Sequence, residues 1–194
     1  MTPPGMTPLL VLTDRSQCSG PLADVIATAV QCGARTVLLR EKDLPAAARA
    51  DLARELNAVL APVGGLLMHA GGGGGAVHLA SADPFPAPRP GLVGRSCHDP
   101  GEVAAARAEG CDYVTVSPVY PSASKPGYGP ALGPAGLAAL CRHAPPAYAL
   151  GGVEPAHVPA CLAAGAIGVA VMGAVMRDPR IVERYLTALP EVPA

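Results

Sequence analysis

The chain has 194 residues, of which 14 are basic and 15 acidic, for a net charge of −1. That length suits one domain over residues 1–194, and the near-neutral balance excludes nucleic acid or an anionic membrane surface as electrostatically recruited partners. Half of the residues are apolar but only 3% are aromatic, so the core must be built from closely packed Ala, Val and Leu.

No apolar run reaches the roughly 18 residues needed to cross a bilayer, and Met1 to Pro8 lacks the basic start and long apolar centre of a signal peptide. A cytoplasmic location is therefore expected. Cys18, Cys32, Cys97, Cys111, Cys141 and Cys161 form no CxxC pair and no His/Cys ligand spacing, which points to small buried hydrophobes rather than disulfides or a zinc site.

In chain order, Leu9 to Thr13 reads as a buried strand opening into Asp14-Arg15, and Pro21 to Gln31 as a helix closed by Gly33. Thr36 to Leu39 is a second strand ending in Arg40-Glu41-Lys42-Asp43, and Pro45 to Ala61 is the longest helix, with Leu52, Leu56, Val59 and Leu60 on one stripe. Leu66 to Met68 is a third strand. The glycines from Gly71 to Gly75 that follow cannot be helical, at about 1 kcal/mol each relative to alanine. Val77-His78-Leu79 is a fourth strand, after which Pro84, Pro86, Pro88 and Pro90 forbid a helix again.

Leu92-Val93 leads to Ser96, and Asp99 caps a helix from Pro100 to Glu109. Tyr113 to Val116 is the next strand, followed by a helix from Gly133 to Cys141. Ala147 to Leu150 and Gly168 to Met172 are the last two strands, with helices at Pro155 to Ala164 and Pro179 to Leu189. Short apolar strands alternating with helices predict a (β/α)8 barrel whose third and fourth helices are shortened or replaced by loops. A doubly wound open sheet is disfavoured because Asp14-Arg15-Ser16-Gln17 carries no glycine fingerprint.

In such a barrel all strand ends meet at one mouth. They bring Arg40 and Lys42, His69, Asp83, Ser96 and His98, Ser122 to Lys125, Gly151-Gly152 and Met172-Gly173 together. Ser122 and Ser124 offer hydroxyl donors and Lys125 a mobile charge, in a loop stiffened by Pro118 and Pro121, which suits an anion. Arg40, Lys42 and Lys125 suit a phosphate or pyrophosphate, Asp83 a Mg²⁺ bridging it, and the glycine turns a second phosphate. His78 reads as a satisfied core histidine. Plain alternatives are a solvated charge cluster for Arg40 to Asp43 and helix capping for Ser96 and His98.

Leu39-Arg40-Glu41-Lys42-Asp43, Val77-His78-Leu79 with Asp83, Gly94-Arg95-Ser96-Cys97-His98, Pro118 to Lys125, Ala149-Leu150-Gly151-Gly152-Val153 and Gly168 to Met172 stand in the order of the motifs of one family. On them the chain resembles the thiamine phosphate synthases and the related thiazole tautomerases, from about Leu10 to Val175. The resemblance implies a barrel that joins an aminopyrimidine pyrophosphate to a thiazole phosphate. It implies Arg40, Lys42, Ser96 and Lys125 on the pyrophosphate, Asp83 as a Mg²⁺ ligand, and Ser122, Ser124, Gly151, Gly152, Met172 and Gly173 on the thiazole phosphate.

Two departures bear on activity. Where the family carries Asn-Asp-Arg after the third strand, this chain has Met68-His69-Ala70 and then glycines, and Leu38 stands where Gln is usual. A tautomerase needs neither pyrophosphate nor Mg²⁺, but the histidine of that branch is here Pro118. Tautomerase-like and non-catalytic binding paralogues are the alternatives to a synthase. Three further expectations follow: His69 as a stand-in for the missing metal ligand, a bulky residue at Gly152 blocking phosphate without disturbing the fold, and a homo-oligomer covering apolar surface left bare by the lost helices.

Overall fold

The computed structural model describes residues 2–121 and 130–190. Eight parallel strands close into a barrel in sequence order, with β8 pairing back onto β1. The strands are β1 (Leu9–Leu12), β2 (Thr36–Leu39), β3 (Leu66–Ala70), β4 (Ala76–Leu79), β5 (Leu92–Cys97), β6 (Tyr113–Val116), β7 (Ala147–Leu150) and β8 (Gly168–Val171). Around them lie α1 (Leu22–Gln31), α2 (Ala46–Leu60), α3 (Pro100–Ala108), α4 (Gly133–Cys141), α5 (Val158–Ala163), α6 (Gly173–Arg177) and α7 (Val182–Ala188).

The expected (β/α)8 architecture is present, and neither Gly71 to Gly75 nor Ala80 to Gly91 contains a helix. Gly71, Gly72 and Gly73 all take left-handed φ values, of 77°, 119° and 98°, which side chains resist. After β4 the proline-rich stretch lies along the barrel wall, and its Phe85 packs against the same apolar layer that the helices cover. Among the described residues Val63 is the one large hydrophobic that stands exposed. The bare apolar flank expected from the lost helices therefore does not form.

Several elements differ from the sequence reading. β3 continues to Ala70, because His69 still pairs with Leu39 of β2 and Val77 of β4. The last helix begins as a tight turn at Pro179–Ile181 before α7. Helix α6, directly after β8, is additional.

Side chains alternate across each strand, which makes two apolar layers. Leu10, Leu12, Leu38, Met68, Ala70, Tyr113, Tyr148 and Ala170 fill the inside of the barrel. Leu9, Val11, Val37, Leu39, Leu67, Val114, Ala149 and Val169 face the helices. Inside, the Tyr113 and Tyr148 rings meet edge to face at 5.7 Å. Gly94 makes this possible, since a Cβ there would lie 2.1 Å from the Tyr113 ring. Of the cysteines, Cys97, Cys111 and Cys161 are buried and all six are free thiols.

Candidate active site at the barrel mouth

The four charged residues after β2 are sorted by direction. Glu41, 5% exposed, accepts from the Arg15 backbone at 3.1 Å and from its guanidinium at 2.9 Å, and Asp43 takes the same guanidinium at 2.8 and 2.5 Å. Arg15 thus draws both acids away to one side. Arg40 crosses instead toward β8, where its guanidinium reaches Met172 Sδ at 2.6 Å. Lys42 turns toward β4, where its Nζ lies 3.5 Å from Asp83 Oδ2. The cluster is paired and oriented rather than merely solvated.

Asp83 sits in a turn that it closes itself, its Oδ2 accepting from the Ala80 amide at 2.8 Å. That amide, with Lys42 assisting against the opposing effect of burial, holds the Asp83 carboxyl below the usual aspartate range. The turn is fixed from behind by Arg95. Arg95 alternates with the inward Gly94 and Ser96 on β5, so it points outward, and it is 3% exposed. It donates to the carbonyls of Ala80, Ser81 and Asp83 at 3.0, 2.9 and 2.8 Å and pairs with Glu109 at 2.7 Å.

Ser96 faces inward, and its hydroxyl lies 3.0 Å from Nε2 of the buried His78, whose Nδ1 is 2.8 Å from the Tyr113 hydroxyl. Burial first, and then the nearby Arg40, Lys42 and Arg95, push His78 down to about 3, so it is neutral at physiological pH. Among the described residues, the Met68 sulfur, 3.6 Å away, is the competing acceptor for the Tyr113 hydroxyl. A hydroxyl donates far better to an imidazole nitrogen than to a thioether, which assigns the His78 proton to Nε2 and directs it at Ser96 Oγ. Ser96 then keeps its own proton for a ligand. The His98 ring bonds the Ser117 carbonyl at 2.7 Å, while Asp99 caps α3 through the Glu102 amide at 2.9 Å.

Across the mouth, β7 and β8 run level, with Leu150 beside Ala170, so Gly151-Gly152 and Met172-Gly173 end at similar height. Gly173 opens α6, a short helix where (β/α)8 enzymes frequently hold phosphate. Gly152 has φ 63°, and a Cβ there would lie 2.3 Å from the Pro121 carbonyl and 2.7 Å from that of Tyr120. A bulky residue at Gly152 would therefore displace the backbone after β6, contrary to the expectation that the fold would be untouched. Ser122, Ser124 and Lys125 lie outside the described residues.

His69 is not at the mouth. Met68 and Ala70 point into the barrel, so His69 faces outward, with its ring against Gly74. Burial and then Arg49 lower its pKa. It cannot replace a metal ligand beside Asp83. Asp83 is thus the one carboxylate at this place, and no group of three or more His, Cys, Asp or Glu that could hold a metal occurs among the described residues. One carboxylate with substrate oxygens still meets the modest demand of Mg²⁺, which commonly keeps most of its water.

The sequence reading does not single out Arg95, although it carries a signal for it, a charge inside a strand that has to be buried.

Two cations and an inward hydroxyl opposite glycine turns at the mouth of a (β/α)8 barrel define a class of barrel suited to a phosphate ligand. The family model described as thiamine monophosphate synthase matches residues 75–175. A putative thiamine-phosphate synthase of Geobacter sulfurreducens is 39% identical, covering 95% of this chain and 94% of its own. The thiamine-phosphate synthase of Mycobacterium sp. (strain JLS) is 33% identical over 92% of this chain and 90% of its own. In fold, the chain resembles a thiamine phosphate pyrophosphorylase from Pyrococcus furiosus with a TM-score of 0.80 and 23% identity, covering 93% of this chain and 94% of that one. The chain belongs to the thiamine monophosphate synthase family.

Proposed function

We propose that this protein is a thiamine phosphate synthase, a transferase of thiamine biosynthesis that joins an aminopyrimidine pyrophosphate to a thiazole phosphate. The bond from the pyrimidine methylene carbon to the pyrophosphate oxygen breaks, the electron pair leaving with pyrophosphate. The thiazole nitrogen then donates its lone pair to that carbon. The chain's task is to hold two phosphorylated substrates in line and to neutralise charge growing on the leaving group.

The observation that carries this reading is the sorting of the segment after β2. Arg40 and Lys42 stand over the mouth while Glu41 and Asp43 are held aside by Arg15, so positive charge faces the ligand. In this reading Arg40, Lys42 and Lys125 carry the pyrophosphate charge, with the Ser96 proton as a further donor. Ser122, Ser124, Gly151, Gly152, Met172 and Gly173 hold the thiazole phosphate. Asp83 would hold Mg²⁺, which when bound supplies charge to the pyrophosphate oxygens.

We also assign the protein to the cytoplasm, supported by its six free thiols. A homodimer is proposed, its contact face left open because the described residues bare no apolar flank where the helices are lost; sedimentation as a monomer at tens of micromolar would refute it. The function is tested by mixing the pure protein with both substrates and Mg²⁺. Thiamine phosphate and pyrophosphate should appear together, and no product under conditions where an established synthase turns over would reject the reading.

A further inference from the structure

Lys42 and Arg49 converge on one peptide step at the edge of the mouth. Arg49 donates from its guanidinium to the Ala70 carbonyl. At the next residue, a Cβ on Gly71 would lie 3.3 Å from Lys42 Cε and 3.4 Å from its Nζ, so the ammonium lies over that glycine. Both cations line the same cleft of about 700 Å³, together with Asp83, the glycines Gly71 to Gly74 and the apolar Val77, Leu79 and Phe85. Asp83 is the sole carboxylate in contact with either cation among the described residues. Arg49 makes no ion pair there, and its Nε is buried without an acceptor.

Two cations against one carboxylate leave the cleft with a positive balance. A guanidinium offers a planar fork that matches two phosphoryl oxygens, and Lys42 adds a point charge in the same cleft. The left-handed glycines remove side chains from the space between them. We propose that Arg49 is a pyrophosphate-binding residue, which together with Lys42 clamps the leaving group at the Ala70–Gly71 step. The identity of the ligand rests on the synthase reading; the anion site rests on the geometry alone.

The test is calorimetric titration of inorganic pyrophosphate into the full-length protein in EDTA, and separately of thiazole phosphate. The wild type should bind pyrophosphate without metal. Arg49→Gln should weaken that binding by about tenfold or more, as loss of a charge-assisted bidentate contact implies, and Arg49→Lys should recover part of it. Affinity for thiazole phosphate should stay unchanged in both variants, which also reports an intact barrel. The proposal is overturned if Arg49→Gln binds pyrophosphate like the wild type, if it loses both ligands equally, or if the wild type binds none without metal. Failure of the synthase reading looks different: a protein that binds pyrophosphate through Arg49 but forms no thiamine phosphate.

Discussion

The Arg95 guanidinium donates to the Asp83 carbonyl at 2.8 Å from the back of the barrel wall, while Asp83 presents its carboxylate to Lys42 at the front. A buried arginine on one face of β5 thus sets the position of an acid on the other side of a turn. The same guanidinium serves the Ala80 and Ser81 carbonyls, so the turn that stands in for a helix is pinned at three points.

Arg95→Met should accordingly cost about 2–4 kcal/mol of stability, because it orphans the Ser81 and Asp83 carbonyls, takes one of two donors from the Ala80 carbonyl and strips Glu109 of its partner. Urea unfolding measures this. Arg95→Lys should fall between, since it keeps the charge on Glu109 but cannot span the turn. Equal stability of wild type and Arg95→Met would mean that the turn holds itself.

His78 makes the protein acid-sensitive in a defined window. Its folded pKa, about 3, lies below the ordinary 6.5, so between these values the unfolded chain binds a proton that the folded chain refuses. Its contribution is therefore fully present above about pH 6.5 and is lost as pH falls, by up to about 1.4 kcal/mol per unit. Thermal midpoints of wild type and His78→Gln should converge as pH is lowered from 7.5 to 4.5. Parallel curves would show that His78 is not the titrating group.

At Gly152 even one methyl group should be felt. Gly152→Ala must adopt φ 63° and meet the Tyr120 and Pro121 carbonyls, so a loss of about 2 kcal/mol or more is expected, with weakened thiazole phosphate binding. Chemical denaturation and calorimetry check the two effects. Retained stability together with lost binding would instead mark Gly152 as a pure ligand contact.

His69→Asp should not strengthen magnesium dependence, because the side chain lies on the outer face of β3. An aspartate there would stand near Arg49 and compete for its guanidinium, so pyrophosphate binding in EDTA should fall several-fold. A magnesium titration that shows increased turnover in His69→Asp would place that side chain at the mouth after all.

Much of the architecture was legible because its causes are local. Short apolar runs, Asp99 ahead of Pro100, the glycines from Gly71 and the prolines from Pro84 each act on their own few residues, and together they specify strands, a capped helix and two missing ones. The ends of those strands identified Arg40, Lys42, Asp83, Ser96 and the glycine turns as mouth residues. His78 was also legible as a satisfied core histidine, since a lone imidazole on a buried strand must find partners.

Direction was not legible, because it depends on barrel closure and on partners far away in the chain. Whether Glu41 faces the ligand is settled by Arg15, 26 residues earlier, and whether His69 does is settled by which neighbours fill the barrel with Met68 and Ala70. Sequence alone determined which residues reach the end of a strand. Tertiary structure alone decided which of them turn into the mouth, because side chains alternate by 180° along a strand and only packing against the opposite layer chooses the sign. Arg49 shows the same limit from a helix: nothing in its local sequence tells that α2 docks with that side chain on the Ala70 carbonyl, beside Lys42.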